Sequence, residues 1–185
     1  VTQRRRHTLR EIPVVRALAA LFAAAADGWT RHGLAELADQ PYFANELDAG
    51  TINAIGYERR VVGLDAWAAE FLAAGHASRG ATFTQFAERG RELDRPRPLA
   101  AWIAWLGRFL VEDPWDMRSR IEAAPGNRVD VVRLDLQGWK GLTKLVGQWS
   151  DALTAWGGAD AGVGLDARVR RIAGPARGRE LADHQ

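Results

Sequence analysis

Residues that could do chemistry are few in this 185-residue sequence, and they are scattered along it. The chain has no cysteine, which excludes disulfides, thiolate metal sites and cysteine nucleophiles. Its histidines do not occur in the H-x-x-x-H or H-E-x-x-H spacing of zinc sites. Its serines, Ser78, Ser119 and Ser150, do not lie in a G-x-S-x-G elbow. These patterns predict neither a metal ion nor a cofactor, and no catalytic residue stands out.

One group of charged residues, Glu122, Asp130, Asp135 and Lys140, surrounds a stretch in which valine and leucine alternate with charges, 128–136. The alternation predicts a β-strand. Acidic residues on a strand near a lysine resemble the site of a metal-dependent nuclease. Asp130 and Asp135 are five residues apart, however, and would point to opposite faces of a strand. Charges on a solvated face are therefore the better interpretation, and an enzyme is not favoured, although the sequence does not decide the question.

A second pattern, in the first third of the chain, is compatible with DNA binding. Predicted helices over 14–29, 34–39 and 50–58 follow the order of a helix-turn-helix unit. The third helix and the residues after it would present polar and basic side chains to bases and phosphates, namely Thr51, Asn53, Arg59 and Arg60. About ten residues precede that helix, where a compact unit uses three or four. A plain helical bundle is the competing interpretation.

Basic residues are concentrated at the two ends of this arginine-rich chain. The first ten residues hold four arginines and no acidic residue: Arg4, Arg5, Arg6 and Arg10. Residues 11–166 hold 16 basic and 21 acidic residues, whereas basic residues dominate again in 167–185 and include Arg168, Arg170 and Arg171. Basic ends of this kind can contact the phosphates of nucleic acid or acidic lipid. Solvated ends without a partner are the alternative interpretation.

Tryptophan is unusually common, with eight residues in the chain. Most of them fall on predicted apolar helix faces and are expected in the core. Because every buried indole needs a partner for its N–H, we expect one or two to line a pocket or a protein interface, where tryptophan is enriched. The candidates for a ligand or partner surface are Trp102, Trp105 and Trp156.

Helices are expected to position all of these residues. Apolar residues at helical spacing predict an all-α fold, a compact orthogonal bundle of six to eight helices. Residues 98–111 carry one charge, Arg108, so we expect a central helix that is buried on most of its circumference. Arg108 would then either emerge at a groove between helices or pair with a buried acidic residue, and pairing is favoured because an unpaired buried charge is costly. The pattern leaves open one small two-stranded sheet, in which 57–62 pairs with 128–136.

The sequence divides into a basic N-terminal arm at 1–10, a helical domain at 11–156 and a final part at 157–185. The final part begins with a Gly-rich linker, which lacks the Lys-Ser/Thr of a phosphate-binding loop. It continues with a short predicted helix at 165–173 and ends in a basic tail. No apolar leader follows the basic first residues, so a cytoplasmic protein that does not bind membranes is expected.

Two function classes follow from these patterns. The first is non-enzymatic binding of DNA or RNA through the basic ends and the helix-turn-helix-like segment. The second is a helical module that binds another protein or a small ligand through exposed tryptophans. An enzyme comes third because no set of polar residues converges in the sequence.

Overall fold

A computed structural model describes residues 8–123 and 129–155, and every regular element in these two ranges is a helix. After a short 3-10 turn at Leu9–Glu11, the α-helices of these ranges are α1 Pro13–Ala26, α2 Arg31–Ala38, α3 Ala49–Glu58, α4 Leu64–Ala73, α5 Ala77–Gly90, α6 Leu99–Glu112, α7 Met117–Ala123 and α8 Val129–Ala155. The predicted all-α class is confirmed for the described residues. None of these helices is long and apolar enough to cross a membrane.

Local capping chemistry explains where several of the helices begin. Pro13 opens α1, where its missing N–H costs nothing and its fixed φ suits the first turn. The hydroxyl of Thr30 accepts a hydrogen bond from the N–H of Gly33 at 3.3 Å at the start of α2. At the start of α3, the carboxylate of Asp48 accepts a hydrogen bond from the N–H of Thr51 at 2.7 Å. Each side chain satisfies a backbone donor that has no partner inside its helix.

A buried carboxyl group holds α1 against α8. Asp135 of α8 has no exposed surface, and one of its oxygens accepts a hydrogen bond from the backbone N–H of Val14 at 3.0 Å. Val14 is the second residue of α1, so its N–H has no partner within the helix. The cap of α1 is thus supplied by a residue 121 positions later in the chain. The other oxygen of Asp135 accepts a hydrogen bond from the Tyr42 hydroxyl.

Two glycines let α8 approach the beginning of α1 closely. A Cβ atom at Gly138 would lie 2.6 Å from a methyl group of Ile12, and one at Gly141 would lie 3.2 Å from Leu9. Ile12 is buried, so it has little room to move aside. A side chain at Gly138 would therefore push the two helices apart.

Seven aromatic residues of the described ranges form a continuous cluster in the core. Its fully or almost fully buried members are Trp29, Phe43, Trp67, Phe71, Phe83, Phe86 and Trp115. The indole N–H groups of two buried tryptophans donate to backbone carbonyls: Trp67 donates to the carbonyl of Trp29 at 2.8 Å, and Trp139 to that of Leu110 at 3.0 Å. The expectation that most tryptophans are core residues is confirmed for those that are described.

The predicted strand at 128–136 is wrong, because 129–136 forms the first turns of α8. Val132, Asp135 and Leu136 lie on the inner side of this helix, and the same side continues to Trp139. Alternating valines favour a strand locally, but packing along the inner side of one long helix outweighs that preference. The stretch 57–62 is not a strand either, since α3 continues to Glu58 and 59–62 is irregular.

Helix α6 packs on one side only. It buries Trp102, Ile103, Phe109 and Leu110, whereas Val111 on its outer side is 64% exposed. The expectation of a central helix buried on most of its circumference is therefore not confirmed. The predicted pairing of Arg108 with a buried acidic residue is wrong, because Arg108 lies on the exposed side. An alanine-rich outer side made the stretch look apolar all round without being buried.

Replacing Arg108 by alanine is expected to change the free energy of unfolding by less than about 0.5 kcal/mol, as is usual for exposed positions. Urea unfolding of the two proteins measures this difference. Arg120, which is mostly buried and bonded to Glu46, serves as the contrasting site, and Arg120→Ala should cost clearly more. A loss above about 1 kcal/mol for Arg108→Ala would show that Arg108 has a structural partner.

The hydrogen bond between Tyr42 and Asp135 should make the free energy of unfolding depend on pH. Burial raises the pKa of Tyr42 above its usual value, and the hydrogen bond to Asp135 raises it further. The unfolded chain therefore loses the Tyr42 proton first, at a pKa of about 10. The resulting stabilisation is complete below pH 10 and declines as the pH rises toward the higher pKa of the folded state.

We expect Tyr42→Phe to lower the free energy of unfolding by about 1–3 kcal/mol at neutral pH, because Asp135 loses a donor. The difference from the wild type should shrink between pH 10 and pH 11 by up to about 1.4 kcal/mol. Urea unfolding at each pH measures it. Tyr57→Phe, at a site that is 77% exposed, is the matched control and should follow the wild type. A difference that stays constant above pH 10 would contradict the prediction.

Candidate functional site

An apolar groove of about 580 Å³ lies between α1 and α8. Its walls are one side of α1 over 15–23 and the second half of α8 over 142–149, and Leu106 and Leu110 of α6 complete it. Leu9 of the 3-10 turn also lines the groove. We call this feature the α1–α8 groove. Its volume falls within the range of ligand-binding pockets.

The contact between α1 and α8 determines where this groove lies. The two helices touch where Ile12 and Val14 meet Gly138 and Asp135, and they line the groove farther along both of them. On the α6 side, the ring of Phe22 packs edge-on against Trp105, with the ring centroids 6.5 Å apart. The groove walls are thus parts of helices that the core holds in place.

The charged and amide side chains of the groove lining lie on α1, on α2 and directly after α2. They are Arg16, Glu36 and Gln40, and none of them is buried. On the α8 side the lining includes Trp149, whose surface is 40% exposed. The groove therefore has an apolar floor with charges only at its rim.

Three of the residues predicted to contact DNA, on α3 and directly after it, form hydrogen bonds or ion pairs within the protein. Thr51 is 4% exposed, and its hydroxyl accepts a hydrogen bond from Arg79 at 2.6 Å. The amide oxygen of Asn53 accepts one from Arg31 of α2 at 2.8 Å. Arg59 forms an ion pair with Glu70 of α4. These contacts tie α3 to its neighbouring helices.

Arg60 is exposed beside Arg59. The remaining residues predicted to bind nucleic acid, together with Trp156, lie wholly or partly outside the described part of the chain. Arg10 belongs to the 3-10 turn, but its side chain lies outside the described residues. The other predicted residues that lie outside the described ranges are Arg4, Arg5, Arg6, Trp156, Arg168, Arg170 and Arg171.

The predicted tryptophan surface on α6 is largely covered. Trp102 is 8% exposed, and Trp105 is partly buried against it with the ring centroids 5.2 Å apart. The guanidinium of Arg97 lies over both rings, 4.9 Å and 5.2 Å from their centroids. The indole N–H of Trp102 is buried without a hydrogen-bond partner among the described residues. This arrangement packs α6 rather than forming an open surface.

Sequence reasoning missed Trp149 as a surface residue. It continues the apolar spacing of Trp139, Leu142 and Val146 along α8, which is also the spacing of core residues. Whether another helix covers that face depends on the tertiary structure, so the pattern alone could not distinguish a core position from a groove position.

A row of exposed basic residues follows the outer side of α8. Arg133, Lys140 and Lys144 lie at helical spacing on this side, and both lysines of the chain are among them. We call them the α8 basic row. Leu9 packs against the neighbouring Gly141, so the chain enters the fold from the basic arm close to this row.

In the described ranges, no group of three or more histidine, aspartate or glutamate residues is arranged to hold a metal ion. No protein-family model, curated protein or solved structure matches this chain. A function for this protein therefore follows from the geometry of the α1–α8 groove and of the α8 basic row.

Proposed function

We propose that this protein is a helical interaction module that binds the apolar side of an amphipathic helix of a partner protein in the α1–α8 groove. The observation that carries the proposal is the open groove of about 580 Å³, whose lining is apolar apart from three rim residues. Contiguous apolar surfaces of this kind mark interaction sites in folded proteins. A helix laid into an apolar groove is a recurring mode of peptide recognition.

The shape and chemistry of the groove favour a helix over a small molecule. The α1 wall at 15–23 is about 12 Å long at the rise of about 1.5 Å per residue, which is just over two helical turns. Small-molecule pockets fix their ligands with a few polar groups inside the pocket. In the described lining the polar residues are all at the rim, so orientation has to come from side chains that interdigitate along the groove.

A fluorescent model peptide tests the proposal, with leucines at positions i, i+4 and i+7 of a helix and lysines elsewhere. Ala19→Asp and Ala23→Asp place a carboxylate on exposed groove positions and should weaken its binding at least tenfold, which is about 1.4 kcal/mol each. Fluorescence anisotropy of the peptide, titrated with the full chain, gives the dissociation constants.

Ala104→Asp is the matched control, because Ala104 is an exposed position in the middle of α6 outside the groove. It should leave peptide binding unchanged, and all three variants should keep the helical circular-dichroism spectrum. Equal binding by groove and control variants would overturn the proposal. Groove-dependent binding of a long-chain fatty acid without binding of the peptide would indicate a small-ligand site instead.

The α8 basic row favours a second candidate function, nucleic-acid binding. Arg133, Lys140 and Lys144 form one exposed row, and the basic arm joins the fold beside it through Leu9. Together, the row and the arm provide cations that can neutralise several successive phosphates. This arrangement supports binding without base reading, because the polar residues of α3 bond within the protein.

Replacing Arg133, Lys140 and Lys144 together by glutamine is expected to weaken binding to duplex DNA and to reduce the slope of log K against log salt by about 2 to 3. Gel-shift titrations at two or more salt concentrations measure the slope. The matched control replaces Arg91, Arg95 and Arg118, which are ion-paired on the surface, by glutamine. An equal loss in both triple variants would argue against a role for the row, and no binding at low salt would exclude this function.

A further inference from the structure

We infer that residues 165–173 of this chain bind in the α1–α8 groove as a short amphipathic helix and compete there with the partner helix. The inference rests on the proposed function of the groove and adds its regulation. Its basis is the match between this segment and the groove in apolar pattern, length, reach and charge.

The segment has the apolar pattern that the groove requires. Leu165, Val169 and Ile172 are spaced at i, i+4 and i+7, which places them on one side of a helix. Arg168 and Arg171 fall outside this row. A helix of nine residues is marginal on its own in water, so it needs a surface to cover its apolar side.

The segment and the groove have equal lengths. As a helix, residues 165–173 would be about 12 Å long at the rise of about 1.5 Å per residue. The α1 wall of the groove, over 15–23, spans the same number of residues. Leu165, Val169 and Ile172 would therefore reach along the whole apolar lining without overhanging it.

The chain between Trp149 and residue 165 is long enough to bring residues 165–173 back to the groove. Trp149 lines the groove six residues before Ala155, the last described residue, which is about 9 Å along α8. The nine residues 156–164 can span up to about 30 Å when extended. Because the segment is tethered this close to the groove, its effective concentration there is in the millimolar range.

Charges at the groove rim suit the basic segment. Glu36 lines the groove, and Asp39, the residue that follows α2, is exposed three residues farther on. Arg16, on the α1 side, is the one basic residue of the lining. A helix with arginines beside its apolar row can approach the α2 rim, and its Asp166 can approach Arg16.

The test replaces Leu165, Val169 and Ile172 together by aspartate in the full chain. If the segment occupies the groove for about nine-tenths of the time, the model peptide should bind this variant about tenfold more tightly than the wild type. The matched control replaces Ala159, Ala161 and Val163 by aspartate, with the same charge change in the linker, and should leave the affinity unchanged. Equal affinities for all three proteins would overturn the inference.

A second measurement does not depend on the peptide. Because the chain has no cysteine, Ala23→Cys with Ala167→Cys provides a unique pair for nitroxide labels at the groove and in the segment. Electron paramagnetic resonance should give one short distance, which the aspartate triple variant abolishes and which persists on dilution with unlabelled chain. A distance that disappears on such dilution would mean that a second copy fills the groove, and would overturn the inference.

The two measurements separate this inference from the proposed function. Short label distances without peptide binding to any variant would support the segment as the occupant and contradict a partner helix. Peptide binding that depends on Ala19 and Ala23, with distant labels and equal affinities, would support the partner helix and overturn the inference.

Discussion

The position of α1 on α8 depends on the buried carboxyl group of Asp135. A polar group in the interior must be hydrogen-bonded, and Asp135 accepts from the backbone of Val14 and from the hydroxyl of Tyr42. The first bond fixes the beginning of α1, and the second fixes the turn after α2. Any shift of α8 would leave these buried donors and acceptors without partners. The wall positions of the α1–α8 groove follow from this attachment together with the close approach of the chain at Gly138 and Gly141.

The groove lies where a compact bundle would ordinarily place more core. Leu106, Leu142 and Val146 line it with the same residue types that fill the interior elsewhere. Exposed apolar surface forfeits about 25 cal/mol for each Å² that could have been buried. A protein gains this free energy when a complementary apolar surface covers the groove. This gain is the physical reason to place binding there rather than on the charged outer faces.

The high arginine content of the chain is only weak evidence for nucleic-acid binding. In the described ranges many arginines are engaged with carboxylates inside the fold, as Arg89 and Arg120 are with Glu46. The paired carboxylates neutralise these charges, so the arginines exert only a weak electric field on a distant phosphate. The α8 basic row differs because its residues share one exposed side of a long helix.

Spacing in the sequence determined the all-α class and the approximate positions of helices such as α2 and α3, because helical periodicity is a local property. It also placed most tryptophans in the core. It could not decide that 129–136 is helical, that Arg108 is exposed or that Trp149 lines a groove. These outcomes depend on which helix covers which face, and the attachment of Val14 to Asp135 joins residues 121 positions apart. Only the tertiary structure decides such contacts, because an apolar pattern specifies that a face should be buried and not what buries it.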